Sequence, residues 1–129
     1  EIYHEALKTG TYECFLNKDT KLPMMYMDDA IKATIQLMEA DPSRLTVRYG
    51  YNLASMSFTP DDIYQEIKKH IPHFSITYKP DFREEIARSW TESIDDSIAV
   101  KDWDWAPDFD ISSMTEDMLS HLINMFDHQ

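Results

Sequence analysis

Ser57–Trp90, SFTPDDIYQEIKKHIPHFSITYKPDFREEIARSW, carries the pattern that decides the class of fold. Its first half follows the grammar of a capped helix. Thr59 stands at the N-cap, Pro60 at the first helical position, and Asp61 and Asp62 at the positive end of the dipole. Ile63, Ile67 and Ile71 then recur at helical spacing, and Pro72 ends the run. The period next changes from 3.6 to 2: in HFSITYKP, Phe74, Ile76 and Tyr78 alternate with polar residues and predict a strand. DFREEIARSW returns to helical spacing through Phe82, Ile86 and Trp90. Helix, strand and helix within 34 residues is the signature of an α/β chain, or of α+β if the strands do not share one parallel sheet.

The same alternation extends in both directions. Upstream, EIYHEALKTG reads as a helix with Ile2, Ala6 and Leu7 on one face and Gly10 as its stop. TYECFLNKD alternates through Tyr12, Cys14 and Leu16, and KLPMMYM is a short apolar run suited to a buried or edge strand. Asp28 or Asp29 is the expected N-cap of AIKATIQLMEA, whose Ile31, Ile35 and Met38 share a face before Asp41-Pro42. RYGYNLASMSF reads as extended chain. Downstream, Ser113 and Glu116 make an expected capping box ahead of Met118, Leu119, Leu122 and Phe126. There is no repeat, low-complexity segment or linker, so residues 1–129 form a single unit. The first helix is already under way at residue 1, without an initiating Met, which predicts that more chain precedes it.

Composition excludes several functions. With 12 basic against 24 acidic side chains the net charge is −12 and the pI is about 4.6. No basic field exists to displace counterions, which argues against nucleic-acid and anionic-membrane partners. Cys14 is alone, so no internal disulfide forms, and its strand pattern reads as core rather than as a nucleophile. The two glycines, Gly10 and Gly50, are too few and too far apart for a phosphate cradle, which needs clustered glycines to let backbone amides approach phosphate oxygens.

Other constellations have plainer readings. Tyr64-Gln-Glu-Ile-Lys68 has the Tyr-x-x-x-Lys spacing of a proton-abstracting pair. It sits in an ordinary capped helix, where chance supplies such a spacing. His70 and His73 straddle Pro72, and His121 and His128 lack a carboxylate at ligand spacing, so no zinc site is expected. Asp102, Asp104, Asp108 and Asp110 fail as a calcium loop because Pro107 falls where the turn needs glycine. SWTESIDDSIAVKDWDW, residues 89–105, holds all three tryptophans. Trp103 and Trp105 are expected to cover a sheet end, whereas Trp90, where a helix exits into a loop, is placed to close over a ligand.

Several blocks in order resemble one family: LPMMYMDDAIKATIQLMEAD, GYNLASMSFTPDDIYQEI, ARSWTESIDDSIAVKDWDW and FDISSMTEDML. They are similar to the C-terminal part of the short-chain-type L-threonine 3-dehydrogenases, extended and epimerase-like short-chain dehydrogenase/reductases. The resemblance runs from Glu1 to about Leu122. It implies an α/β, Rossmann-type fold of which this chain is the substrate-side lobe, the nucleotide-binding half lying upstream. It further implies NAD-dependent oxidation of L-threonine to 2-amino-3-oxobutyrate by a homodimer, cytoplasmic in a bacterium or in the mitochondrial matrix of a eukaryote. NAD and the catalytic Tyr-x-x-x-Lys then belong mainly to the upstream half. No catalytic residue lies in this chain, which is not competent alone, and Tyr64 and Lys68 are not the family's pair. Residue by residue, the resemblance makes Trp90 a substrate-pocket tryptophan and places Met25 and Tyr26 at the border of the cleft. Thr91 stands where the family usually has proline, and the loss of that fixed backbone angle predicts a looser lid. Two alternatives remain: a non-enzymatic partner-binding or dimerising module, and a sugar-nucleotide epimerase relative. The latter is disfavoured because the arginines, Arg44, Arg48, Arg83 and Arg88, are not expected to form a basic cluster for a diphosphate.

Overall fold

The computed structural model describes residues 1–128. Helices α1 (Ile2–Lys8), α2 (Met27–Glu39), α3 (Pro60–His70), α4 (Phe82–Arg88), α5 (Ser97–Trp103) and α6 (Ile111–Asp127) alternate with strands β1 (Thr11–Cys14), β2 (Leu22–Met24), β3 (Met56–Phe58) and β4 (Ser75–Tyr78). The chain is α/β, and its strands form two separate ribbons. β1 and β4 pair in parallel with Thr11 opposite Ser75, and β2 and β3 pair antiparallel with Leu22 opposite Phe58. A parallel pair needs a crossover, and here α2 and α3 both lie between its strands in sequence.

The segment Ser57–Trp90 folds largely as its pattern dictates. Thr59 and Asp62 form a reciprocal capping box at the start of α3, and Ile63, Ile67 and Ile71 are buried. They pack with Tyr3 and Ala6 of α1, Phe74 ahead of β4, and Met114, Leu119 and Leu122 of α6. Tyr3 and Thr115 join α1 to α6 through a 3.0 Å hydroxyl–hydroxyl hydrogen bond, so a buried polar pair replaces two orphans. Gly10 takes φ +73, the left-handed conformation in which glycine carries no steric penalty. A Cβ there would also meet the His73 ring at 3.2 Å.

Four local expectations are corrected. The box at the start of α6 is Asp110 with Ser113, one turn earlier than Ser113 with Glu116. Asp110 is extended and its carboxylate accepts the Ser113 N–H, so the helix begins at Ile111. Neither Asp28 nor Asp29 is the N-cap of α2, which starts at Met27 without a side-chain cap. Asp29 is instead fully buried and accepts the N–H groups of Asp108 (2.8 Å) and Phe109 (3.1 Å). It thereby ties α2 to the chain before α6. In α4 the stripe Phe82, Ile86 and Trp90 faces outward, and Glu84 and Ala87 are buried in its place. The tryptophan pair covers helices, not a sheet end. Trp103 and Trp105 pack with Ala33 of α2 and Ala99 of α5, and the Trp105 indole donates to the Ala54 carbonyl at 2.9 Å.

Candidate functional site

The site is built on a turn, a helix end and a loop. The turn Asn17–Lys21, between β1 and β2, faces the end of α4 and the following loop across an open cleft of about 610 Å³. Its walls include Lys18, Lys21, Arg88, Trp90 and Glu92. Trp90 is 61% exposed, so its indole is a surface available to a ligand rather than a core filler.

Glu84 holds the two walls together. From its buried position on α4 it accepts the Asn17 N–H (2.9 Å), the Asn17 amide (3.1 Å), the Thr20 hydroxyl (2.6 Å) and the Arg88 Nε–H (2.8 Å). Burial pushes this carboxyl up. The Thr20, Asn17 and Arg88 hydrogen bonds outweigh that penalty and hold it below the usual glutamate range. Glu84 is the residue that pattern reading missed. Its one sequence signal is Arg88 four positions on, a spacing that fits a surface pair equally well.

The site residues expected from the sequence are not gathered in one pocket. Met25 lines a second, smaller cleft of about 190 Å³ with Leu53, Met56, Ser93 and Ile94. The loop that leaves Trp90 therefore reaches both clefts, Trp90 at one and Ser93 and Ile94 at the other. Tyr26 packs against the core, with its ring edge-on to Phe109 at 4.7 Å. Its hydroxyl donates to Asp117 of α6 at 2.6 Å. Burial and then the Asp117 carboxylate push that phenol well above its ordinary value. Tyr26 thus latches the β2–α2 junction, and Met25 beside it, onto α6.

Thr91 shapes the loop in its own way. Its hydroxyl donates to the Ser93 carbonyl at 2.6 Å and accepts the Ser93 N–H at 3.4 Å, closing a turn by hydrogen bonding. Tyr64 and Lys68 make a structural pair. The Lys68 ammonium lies 5.4 Å from the Tyr64 ring centroid, and the phenol reaches the Phe74 carbonyl at 3.5 Å. The acidic run is divided among separate partners. Asp102 accepts from Thr46 and Tyr51, Asp104 pairs with Arg44, Asp108 pairs with Lys32, and Asp110 caps α6. Cys14 is buried, and burial raises its thiol pKa. Among the described residues no His, Cys, Asp or Glu groups of three or more could hold a metal ion, and no helix is long and apolar enough to cross a membrane. The large cleft is of mixed charge: Lys18, Lys21 and Arg88 line it together with Asp19 and Glu92, and Arg88 is the one arginine among its lining residues.

The chain's two glycines do not form a phosphate cradle. Gly10 follows α1 and abuts His73, Gly50 has open space around it, and neither opens a helix.

No family model matches the chain. The fold is that of the C-terminal portion, about 40% by length, of GalE-like threonine dehydrogenases, and so of the short-chain dehydrogenase and epimerase class. The chain is homologous over nearly its whole length to L-threonine 3-dehydrogenases and to epimerase/dehydratase-type proteins. It is 48% identical over 121 residues to the mitochondrial L-threonine 3-dehydrogenase of Bos taurus, covering 93% of this chain and 32% of that one. An uncharacterized epimerase/dehydratase of Staphylococcus haemolyticus is 51% identical over 120 residues, covering 92% and 38%. The crystal structure of L-threonine dehydrogenase from Phytophthora infestans superposes with a TM-score of 0.93 at 55% identity, covering 96% of this chain and 40% of that one. The chain thus spans about a third to two-fifths of the length of these relatives.

Proposed function

We propose that this chain is the substrate-side lobe of an NAD-dependent L-threonine 3-dehydrogenase, which oxidises L-threonine to 2-amino-3-oxobutyrate as a homodimer. The observation that carries this reading is the near-complete match, in sequence and in backbone, to the corresponding portion of threonine dehydrogenases. The chemistry belongs to an upstream nucleotide-binding half, because two separated glycines cannot cradle a pyrophosphate. Within the lobe, Trp90 shields the substrate from water, Met25 borders it, and Tyr26 positions Met25 through Asp117. We place the protein in the mitochondrial matrix if the source is a eukaryote, a reading supported by the mitochondrial name of the bovine relative, and in the cytoplasm otherwise.

A second reading, as part of a sugar-nucleotide epimerase, is favoured by the epimerase/dehydratase relative. The two separate in one assay. The intact polypeptide that carries this chain should form NADH in proportion to added L-threonine and should not epimerise UDP-sugars. The 129-residue chain alone should take up no NAD in a calorimetric titration. Micromolar NAD binding by the chain, or epimerisation without threonine oxidation, would sink the proposal.

A further inference from the structure

We propose that Glu84 is a positioning residue: by fixing the last turn of α4 against the Asn17–Lys21 turn, it sets where Trp90 stands beside the larger cleft. Its effect on the reaction rests on the preceding reading, in which Trp90 shields the substrate. Its effect on the placement of Trp90 does not.

Helix α4 has almost no apolar anchor. Of its residues only Glu84 and Ala87 are buried, while Phe82 and Ile86 are 72% and 49% exposed. One buried methyl group is a weak hold, and four hydrogen bonds to one charge are a strong one. Among the described residues, every hydrogen bond between the Asn17–Lys21 turn and residues 82–92 ends on Glu84. Its Oε2 accepts the Asn17 N–H, and its Oε1 accepts the Asn17 amide and the Thr20 hydroxyl. No ion pair joins the two walls among the described residues. The turn is a fixed reference. Its Lys18 carbonyl accepts the Asp61 N–H of α3 at 3.2 Å, and its Asn17 carbonyl accepts the Thr20 N–H at 3.2 Å.

Trp90 is tied to α4 rather than to the opposite wall. Its N–H donates to the Ala87 carbonyl at 3.1 Å, and the Ser89 N–H and hydroxyl donate to the Ile86 carbonyl at 3.1 and 2.6 Å. The tryptophan therefore prolongs the last turn of the helix. Arg88, one turn after Glu84, donates to it at 2.8 Å and stiffens the same turn. Six residues of helix put Trp90 about 9 Å beyond Glu84 along the axis. A tilt of about 10° at Glu84 displaces Trp90 by roughly 1.5 Å, and a misplacement of that order costs about 100-fold where geometry governs the rate. The carboxylate is specific to this task, because it meets four donors and offers none. An amide in its place would turn an NH2 group toward one of them.

Two measurements test this. In the 129-residue chain, heteronuclear NMR follows the three indole N–H signals and the backbone order of Trp90. Glu84→Gln, and Thr20→Val, which removes one donor and keeps the side-chain shape, should each shift the Trp90 indole signal and lower its backbone order. Trp103 and Trp105 should stay as in wild type. In the intact polypeptide, Glu84→Gln should raise KM for L-threonine about tenfold with kcat held within about twofold, because a smaller fraction of molecules holds Trp90 in place. In a Trp90→Ala background the same substitution should change kcat/KM less than about twofold, whereas a purely structural loss would be equal in both backgrounds. An unmoved Trp90 in the folded variants would overturn the assignment of Glu84. So would equal losses in the two backgrounds, a loss carried by kcat alone, or no loss. If Glu84→Gln does not fold, Thr20→Val carries both measurements. If the wild-type polypeptide does not oxidise threonine, the preceding reading falls, and the NMR of the chain alone decides the role of Glu84.

Discussion

At the scale of single residues, the three tryptophans show how little residue type decides by itself. Trp90 and Trp105 are the same side chain fifteen positions apart, one 61% exposed at a cleft and one buried against α2. Their substitutions should separate accordingly in the intact enzyme. Trp90→Ala should cost about 2–3 kcal/mol of transition-state stabilisation, roughly 30- to 150-fold in kcat/KM, with little change in melting. Trp105→Phe loses packing and strands the Ala54 carbonyl, so the melting temperature should fall while kcat/KM holds. Wild-type kinetics for Trp90→Ala together with a large loss of stability would make Trp90 a structural residue. Asp104 is a second case. It ends α5 with φ +59, a left-handed conformation that β-carbon sterics penalise. Its exposed 3.3 Å pair with Arg44 contributes little. Asp104→Gly should therefore stabilise the chain by about 0.5–1 kcal/mol, read as a higher midpoint in urea. An unchanged or lower midpoint would show that the Arg44 contact outweighs the backbone strain.

At the scale of elements, α4 is the informative failure. Periodicity marks Phe82, Ile86 and Trp90 as its buried stripe, yet this face is exposed and a glutamate lies inside. The reason is the Glu84 network. Four donors converge on one carboxylate, and satisfying them fixes the rotation of a seven-residue helix more firmly than a short apolar stripe does. The folded-state pKa of Glu84 is depressed, so its contribution is fully present above the ordinary glutamate value of 4.5. It is lost as pH falls through the lower folded-state value. At neutral pH, Glu84→Gln should cost about 2 kcal/mol, because hydrogen bonds to a charge are replaced by weaker ones. The gap in melting temperature between wild type and variant should close on acidification through that window. Parallel curves down to the acid limit would show that Glu84 carries no charge-dependent stability. α3 is legible because it announces both ends with a capping box and a proline, whereas α5, which starts without a side-chain cap, was not expected from the sequence.

At the scale of the whole molecule, the outward face of α2 is the main unfinished surface. Ile31, Ile35 and Met38 share that face at 53%, 49% and 81% exposure, although their spacing is that of a buried stripe. Apolar side chains aligned on one helix and left in water favour association. The isolated chain should therefore take up a hydrophobic dye and self-associate with rising concentration, and Ile35→Lys should reduce both without lowering the melting temperature. A monomeric wild-type chain without dye uptake would show that this face is tolerated in water as it stands.

The sequence by itself determined the α/β alternation, the caps and stripe of α3, the strand character around Cys14 and Ile76, and the absence of a phosphate cradle. These follow from local spacing or from composition, which need no partner to be read. Tertiary structure alone decided that the strands form two separate ribbons, that Asp29 is a buried anchor, and that Tyr26 serves Asp117. It alone placed Lys18, Lys21 and Arg88 around one cleft. These depend on contacts between residues 32 to 91 positions apart, such as Met24 with Met56, Thr20 with Glu84, Asp29 with Asp108, and Tyr26 with Asp117. Local propensity carries no information at that range, because the free energy of a buried carboxylate is set by donors that only the folded chain brings to it.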